Sequence, residues 1–195
     1  MTHFNIPSAR EIPFFDHDDK SLLHTIGNSS KRRGMNPFHF ALRKTKNLIL
    51  YRLAFFCPLN SWRIRMHRWR GVHIGEHCYI GTQCSIDNAY PEMIYIEDYV
   101  AVNQGSTLLA HTNVYSAFEG LINCRVAPIH IEQHALVSIN STVLVGVTVG
   151  QYAIVSAGSV VSNNVPPFTM VIGNPAKKLV NFKHMLVNLP ENTVD

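Results

Sequence analysis

Charge is scarce in this 195-residue chain: Asp, Glu, Lys and Arg together make up 15% of it, against 46% hydrophobic residues. That composition is globular, and the length suits one well-buried domain with an extension. The four cysteines, Cys57, Cys78, Cys84 and Cys124, show no Cys-x-x-Cys spacing. Reduced thiols in a cytoplasmic chain are therefore the expectation. The longest apolar run, LILYRLAFFCPL, is too short to span a bilayer and carries Arg52. The opening residues, MTHFNIPSAR, lack the basic-then-apolar layout of a secretory signal. No Ser or Cys sits in a nucleophile motif, which disfavours a covalent intermediate on a side chain. Acidic residues are missing altogether from positions 31–70, where eleven basic ones make the segment +11. Residues 71–195 hold four basic and nine acidic residues, or −5, so the two parts face different partners.

What is present is a period of six. Ile74, Ile80, Ile86, Ile96, Val102, Leu108, Ile131, Val137, Val143, Val149, Val155 and Val161 fall on twelve hexad positions, all apolar. Two places before each sits a small or β-branched residue, from Val72, Cys78 and Cys84 through Ala153 and Ser159. The register slips twice, at 87–93 and at 109–128. Neither the helix period of 3.6 nor the strand period of 2 gives this pattern. A short strand and a corner, repeated, does: the chain winds into a solenoid whose flat faces are parallel sheets. One aliphatic side chain per hexad fills the interior, each worth ~1.5–3 kcal/mol on burial. Cys78 and Cys84 hold small inward positions, so their role is packing.

The flanks read differently. Residues 37–57 have helical spacing, with an apolar face from Leu42 through Ile49, Leu53 and Phe56, ended by Pro58. NSWRIRMHRWRG reads as a second helix, with Asn60 or Ser61 as cap, Trp62, Met66 and Trp69 on one side, arginines on the others, and Gly71 as the stop. This basic segment solvates one end of the domain or rests on an anionic membrane face. No recognition motif supports nucleic acid as its partner. Residues 1–36 read as loose. After Pro166 and Pro167, Leu179, Phe182 and Leu186 have helical spacing, suited to capping the last coil's open edge. Lys177 and Lys178 then open that helix, where the dipole disfavours cations unless a phosphate lies between them.

The second slip is a 20-residue excursion, and long loops in compact repeats are usually functional. It begins with His111. Its imidazole can serve as a base near neutrality, and backbone amides can donate to a developing oxyanion. Asn113, two places on, is a candidate to orient the imidazole or bind a sugar hydroxyl.

The hexads resemble those of the hexapeptide-repeat acyltransferases. That likeness implies an all-β solenoid, a left-handed parallel β-helix of about four coils with three hexads each, flanked by an N-terminal helical extension and a C-terminal helix. The organisation expected is a segment 1–36, a basic helical extension 37–70, the β-helix 71–173 with its inserted loop 109–128, and a helix and tail 174–195. GSTLLAHTN, then APIHIEQHALVSINSTVLVGVTVG, then GSVVSNNVPPFTMVIGNPAKKL are similar to the maltose/galactoside and colanic-acid types of O-acetyltransferase. The resemblance implies a catalytic His111, amide contacts to the oxyanion and pantetheine at Ile139 and Ala157, a cofactor groove at Ser162 and Asn163, and Lys177 near the 3′-phosphate of coenzyme A. It further implies acetyl-CoA as acyl donor with no metal, a saccharide acceptor and a homotrimer.

Two rival readings remain. The γ-type carbonic anhydrases share the solenoid and bind zinc through three histidines, a role open to His111, His130 and His134. However, HIGEH and HIEQH echo each other as repeat decoration on outward corners. A non-catalytic scaffold is the other rival, and it would not need His111 and the Gly-Asn-Pro-Ala-Lys terminus together.

Overall fold

The computed structural model describes residues 4–14, 27, 29–31, 33–114 and 118–186. Two helices, α1 (Pro37–Phe56) and α2 (Asn60–Arg70), precede a triangular solenoid. Each coil lays one short strand on each of three faces. The first face stacks β2 (His73–Ile74), β5 (Ile94–Ile96), β9 (Ile129–Ile131) and β12 (Thr148–Val149). The second stacks β3 (Tyr79–Ile80), β6 (Ala101–Val102), β10 (Leu136–Val137), β13 (Ile154–Val155) and β15 (Thr169–Ile172). The third stacks β4 (Ser85–Ile86), β7 (Thr107–Leu108), β11 (Thr142–Val143) and β14 (Val160–Val161). All these neighbours pair in parallel, residue for residue along the hexad register, as Ile80↔Val102 and Val137↔Val155 do. The twelve hexad aliphatics are buried, none more than 6% exposed, and so are the small residues two places before them.

Repeated corners explain the echoing histidines. His77, Tyr99, His134, Tyr152 and Phe168 each adopt a left-handed backbone, with φ between 55° and 59°. Their rings stack one upon the next along one edge, with centroids 4.5–5.3 Å apart and planes within 15° of parallel. Left-handed backbone costs a non-glycine residue ~1–2 kcal/mol, and a stacked ring pair returns ~0.5–1.5 kcal/mol. The ladder therefore largely offsets the cost of its own corner.

The helical hairpin closes the first coil. The edge strands β2, β3 and β4 have no preceding coil to take their carbonyls, and α2 supplies donors instead. Arg68 Nε donates to Ile74 O (3.0 Å), Arg63 Nε to Ile80 O (2.6 Å) and Arg70 Nη2 to Ile86 O (2.9 Å), one arginine for each face. Asn60 adds a reciprocal pair, donating to Cys78 O and accepting from Ile80 N–H. The helix cap is thus Leu59, and the Asn60 side chain serves the coil. Gly71, at φ 104°, stops α2 as expected. Arg63 and Arg70 are buried rather than solvated, which corrects the reading that the arginines occupy the outer sides. His67 is buried beside them and accepts from Arg70 Nη1 at 2.9 Å. Burial, then the charges of Arg70 and Arg63, push its pKa down to about 3. The apolar stripe of α1 also faces the other way from expectation: Leu42, Ile49, Leu53 and Phe56 are exposed, while Phe40, Asn47 and Ala54 pack inward.

Two further expectations change. Residues 4–14 are not loose: β1 (Arg10–Glu11) pairs antiparallel with β8 (Arg125–Val126) of the excursion, and Phe4 meets His73 and Tyr95. The remainder of 1–26 lies outside the described residues. At the far end, Lys177–Asn181 is a strand, β16, antiparallel on β15, and only Lys183–Leu186 is helical. The unpaired edge of β15 offers backbone partners that a helix would forgo, so the open edge is covered by a strand. The helix-dipole argument for Lys177 and Lys178 falls with it. Among the described residues, no helix is long and apolar enough to cross a membrane.

Candidate active site

His111 leaves the third face just after β7, where the excursion begins, and bridges to Val126 on the returning strand. Its ring packs against Tyr90, centroids 5.3 Å apart, and its side chain keeps 13% of its surface exposed. Nδ1 lies 2.6 Å from Oδ2 of Asp87. Asp87 is fully buried and held from four directions: Oδ1 accepts the amides of Ala89 (2.8 Å) and Tyr90 (2.9 Å), and Oδ2 accepts that of Ala110 (2.8 Å) as well as His111. Burial opposes the carboxylate charge. The hydrogen bond and charge of His111, with the Tyr90 and Ala110 amides, overcome it and hold the carboxyl below its usual range. An ionised Asp87 can only accept, so Nδ1 carries a proton, and in the neutral imidazole the lone pair lies on Nε2. Asp87, rather than Asn113, is therefore what orients the imidazole.

Asp87 is the residue that sequence reasoning missed. It lies in the first register slip, as His111 lies at the start of the second, and the stacking of coils brings the two slips together. A cleft of about 110 Å³ opens in front of them, lined by His111, Asn113, Tyr90, Arg33, Arg43 and Lys44 among others.

The other expected site residues fall on two further stations. Ser162 and Asn163 lie on the same edge of the prism as His111, two coils on, because Leu109 stacks through Leu144 onto the Ser162 level. At one strand spacing per coil the offset is roughly 10 Å. They line a groove of about 430 Å³ with Arg125 and Gly146, and Arg125 is a cation that the sequence reading did not place there. Ile139 and Ala157 occupy the opposite edge of the third face, joined by Gly158 N–H donating to Ile139 O at 3.0 Å. Their own amides have no acceptor among the described residues, and the same holds for Thr82 and Gln104 on the earlier coils, so the free amide is a property of that corner. Lys177 is exposed at the start of β16, beside Ala176, whose amide donates to Val160 O (2.8 Å). One chain therefore does not bring Ile139, Ala157 and His111 to one place.

His111, His130 and His134 are also dispersed. His130 Nε2 pairs with Glu97 (2.8 Å) on the first face, and His134 lies within the aromatic ladder. Among the described residues no three His, Cys, Asp or Glu side chains are grouped to hold a metal ion, and His111, His130 and His134 form no ligand set. The cysteines are equally quiet. Burial raises the Cys84 thiol to about 11, and Cys84 and Cys78 donate to the carbonyls of Asn103 and Glu97.

No family model matches the chain. It is 25% identical over 152 residues to "Putative acetyltransferase YvoF" of Bacillus subtilis, covering 77% of this chain and 85% of that protein. It is 30% identical over 125 residues to "Putative acetyltransferase SAV2555" of Staphylococcus aureus, covering 64% of this chain and 60% of that one. Among solved structures, the hexapeptide-repeat-containing acetyltransferase VCA0836 of Vibrio cholerae superposes with a TM-score of 0.62 at 22% identity, over 73% of this chain and 92% of that one. The same protein complexed with acetyl coenzyme A gives 0.56 at 24%, over 74% and 90%. The chain thus shares the left-handed β-helix fold of that hexapeptide-repeat acetyltransferase, and its sequence likeness to acetyltransferases extends over three quarters of its length.

Proposed function

We propose that the protein is an acetyl-CoA-dependent O-acetyltransferase that transfers acetyl to a hydroxyl of a saccharide by direct attack. The observation that carries this reading is the buried Asp87 fixing His111 as a base at the mouth of a cleft. His111 Nε2 takes the acceptor's hydroxyl proton as its oxygen attacks the thioester carbonyl. The tetrahedral oxyanion rests on a backbone amide, for which Ile139 is the candidate and Ala157 its neighbour along the pantetheine arm. Collapse breaks the C–S bond, and the thiolate leaves with the proton from His111, giving the ester and free coenzyme A. Asn113 lines the acceptor side. Incubation with acetyl-CoA and a panel of sugars tests the whole reading: release of free thiol that requires a sugar supports it, and thiol release indifferent to every sugar overturns it.

Assembly belongs to the same proposal. The free amides at Ile139 and Ala157 and the groove at Ser162 and Asn163 sit on the two edges of one face. A homotrimer sets one copy's edge against its neighbour's face, which would complete the site from two chains. Lys177 is proposed to meet the 3′-phosphate of coenzyme A. Lys177→Ala should then raise the KM for acetyl-CoA by about tenfold while kcat changes little. Equal affinity of the wild type for coenzyme A and its dephospho form would remove that contact.

A peripheral contact with an anionic membrane is supported by the outward stripe of α1. Phe38, Leu42, Ile49, Leu53 and Phe56 are 54–74% exposed along a helix of ~30 Å, with Trp62 and Trp69 of α2 beside them. Lys46, Arg52 and Arg65 are exposed on the same hairpin. Such a face suits insertion among headgroups, with each cation near the surface adding ~1 kcal/mol. Sedimentation with vesicles rich in phosphatidylglycerol should carry the protein down, pure phosphatidylcholine should not, and the Leu53→Glu, Phe56→Glu double variant should stay in solution. Association of the hairpin with a second copy of the chain, with no vesicle binding, would overturn it.

A further inference from the structure

The cleft in front of His111 is walled by more positive charge than its own carboxylates answer. Three cations line it: Arg33, Arg43 and Lys44. Arg33 lies over the Tyr90 ring, 4.0 Å from its centroid, and donates to Ala89 O. One carboxylate serves both guanidinium groups, since Glu92 stands 3.1 Å from Arg43 and 3.7 Å from Arg33. Asp87 is already committed to His111 and three amides. Lys44 has no carboxylate within ion-pair distance among the described residues. Among the described residues the wall thus sets three cations against one carboxylate, that of Glu92, with the buried Asp87 behind His111. Lost solvation and the like charge of Arg33 both push the Lys44 pKa down.

A neutral sugar gains little from this. Hydroxyls are satisfied as well by amides and hydroxyls, without the mutual repulsion of close cations. An anion relieves that repulsion and gains charge-assisted hydrogen bonds. The cations come from α1 and the turn before it, while the base comes from the coils, so charge recognition and chemistry meet from opposite walls of one cleft.

We propose that the acceptor is an acidic saccharide, whose carboxylate or phosphate docks against Lys44, Arg43 and Arg33 while a hydroxyl of the same sugar reaches His111. This deepens the acetyltransferase reading and rests on it for the hydroxyl's fate, though not for the binding of the anion. Asn113, on the same lining, can bind a ring hydroxyl and supplies no charge.

The experiment compares matched sets of acceptors: glucose, galactose and mannose, their uronates, and their 1-phosphates. Two readouts are taken, thiol release with acetyl-CoA and saturation-transfer NMR binding without it. The expected result is an acidic sugar preferred over its neutral partner by about tenfold in KM and in binding. Lys44→Ala should shrink that preference to about threefold or less, and Lys44→Arg should restore most of it. The uronate and phosphate arms tell which anion is read. Neutral and acidic sugars bound alike, no sugar bound at all, or a preference untouched by Lys44→Ala would each overturn the proposal. So would a Lys44→Ala effect confined to the KM for acetyl-CoA, which would assign the cations to the donor's phosphates. Acidic sugars bound in a Lys44-dependent way without any thiol release would leave the proposal standing and remove the acetyltransferase reading instead.

Discussion

His111→Ala should lower turnover by at least ~10² while leaving the fold intact. The imidazole lies outside the hexad core, and its one side-chain hydrogen bond is to Asp87, which keeps three backbone amides without it. The function lost is larger, because among the described residues that line the cleft His111 is the only histidine and no carboxylate joins it. Asp87→Asn in the same assay separates the base from its support. The amide keeps the shape of the carboxylate but presents N–H where two donors, Ala110 N–H and His111 Nδ1–H, already point. The imidazole is then driven towards the tautomer with its proton on Nε2, and turnover should fall by ~10²–10⁴ with the backbone turn retained. Undiminished turnover in His111→Ala would end the direct-attack mechanism. An Asp87→Asn variant as active as the wild type would reduce Asp87 to a structural group.

The second large effect is a loss of stability in mild acid, set by His67. Its folded pKa of about 3 lies below the value near 6.5 that the unfolded chain shows. Between those values the unfolded chain binds a proton that the folded chain refuses, so stability is full above pH ~6.5 and falls as the pH drops below it. The slope is ~1.4 kcal/mol per pH unit, or roughly 3 kcal/mol by pH ~4.5. His134 is shifted in the same direction by burial. Asp87, with its depressed pKa, adds its own loss only below pH ~4, where the unfolded carboxyl takes up its proton. Urea titrations across this range measure the slope. His67→Gln, which keeps an acceptor for Arg70 and does not titrate, should flatten most of it. Should that variant fail to fold, the wild-type imidazole proton shifts serve instead, since the His67 signal should not move down to pH ~4.5. A wild type equally stable at both ends, or a His67 signal that titrates near 6.5, would overturn the assignment.

The coils were legible because their signal is periodic and local. Every inward hexad residue, from Ile74 to Val161, sits where a count by six puts it, and the corners follow. His111 could be found because it starts the largest break in that count. Asp87 sits in the smaller break, twenty-four residues earlier, where periodic reasoning stops, and only the stacking of coils reveals the pair. The arginines of α2 were misread for a different reason. Charge counting treats each cation as solvated, but Ile74, Ile80 and Ile86 end the lattice of backbone pairing and their carbonyls need donors. The stripe Leu42, Ile49, Leu53 and Phe56 has the spacing of a buried face, and nothing in the spacing tells a core from an outward surface. Leu179 and Phe182 suit a helix or a strand, and the unmet edge of β15 decided for the strand at Leu179.

The arginine closure of the first coil has a consequence beyond stability. A prism of stacked coils is a template that would accept another of its kind at either end, since each terminal coil repeats the shape of its neighbours. Here one end is stoppered by guanidinium groups and a helical hairpin, and the other by a strand running the wrong way to extend the parallel stack. Copies of the chain are thereby hindered from joining coil to coil, end to end, into fibres.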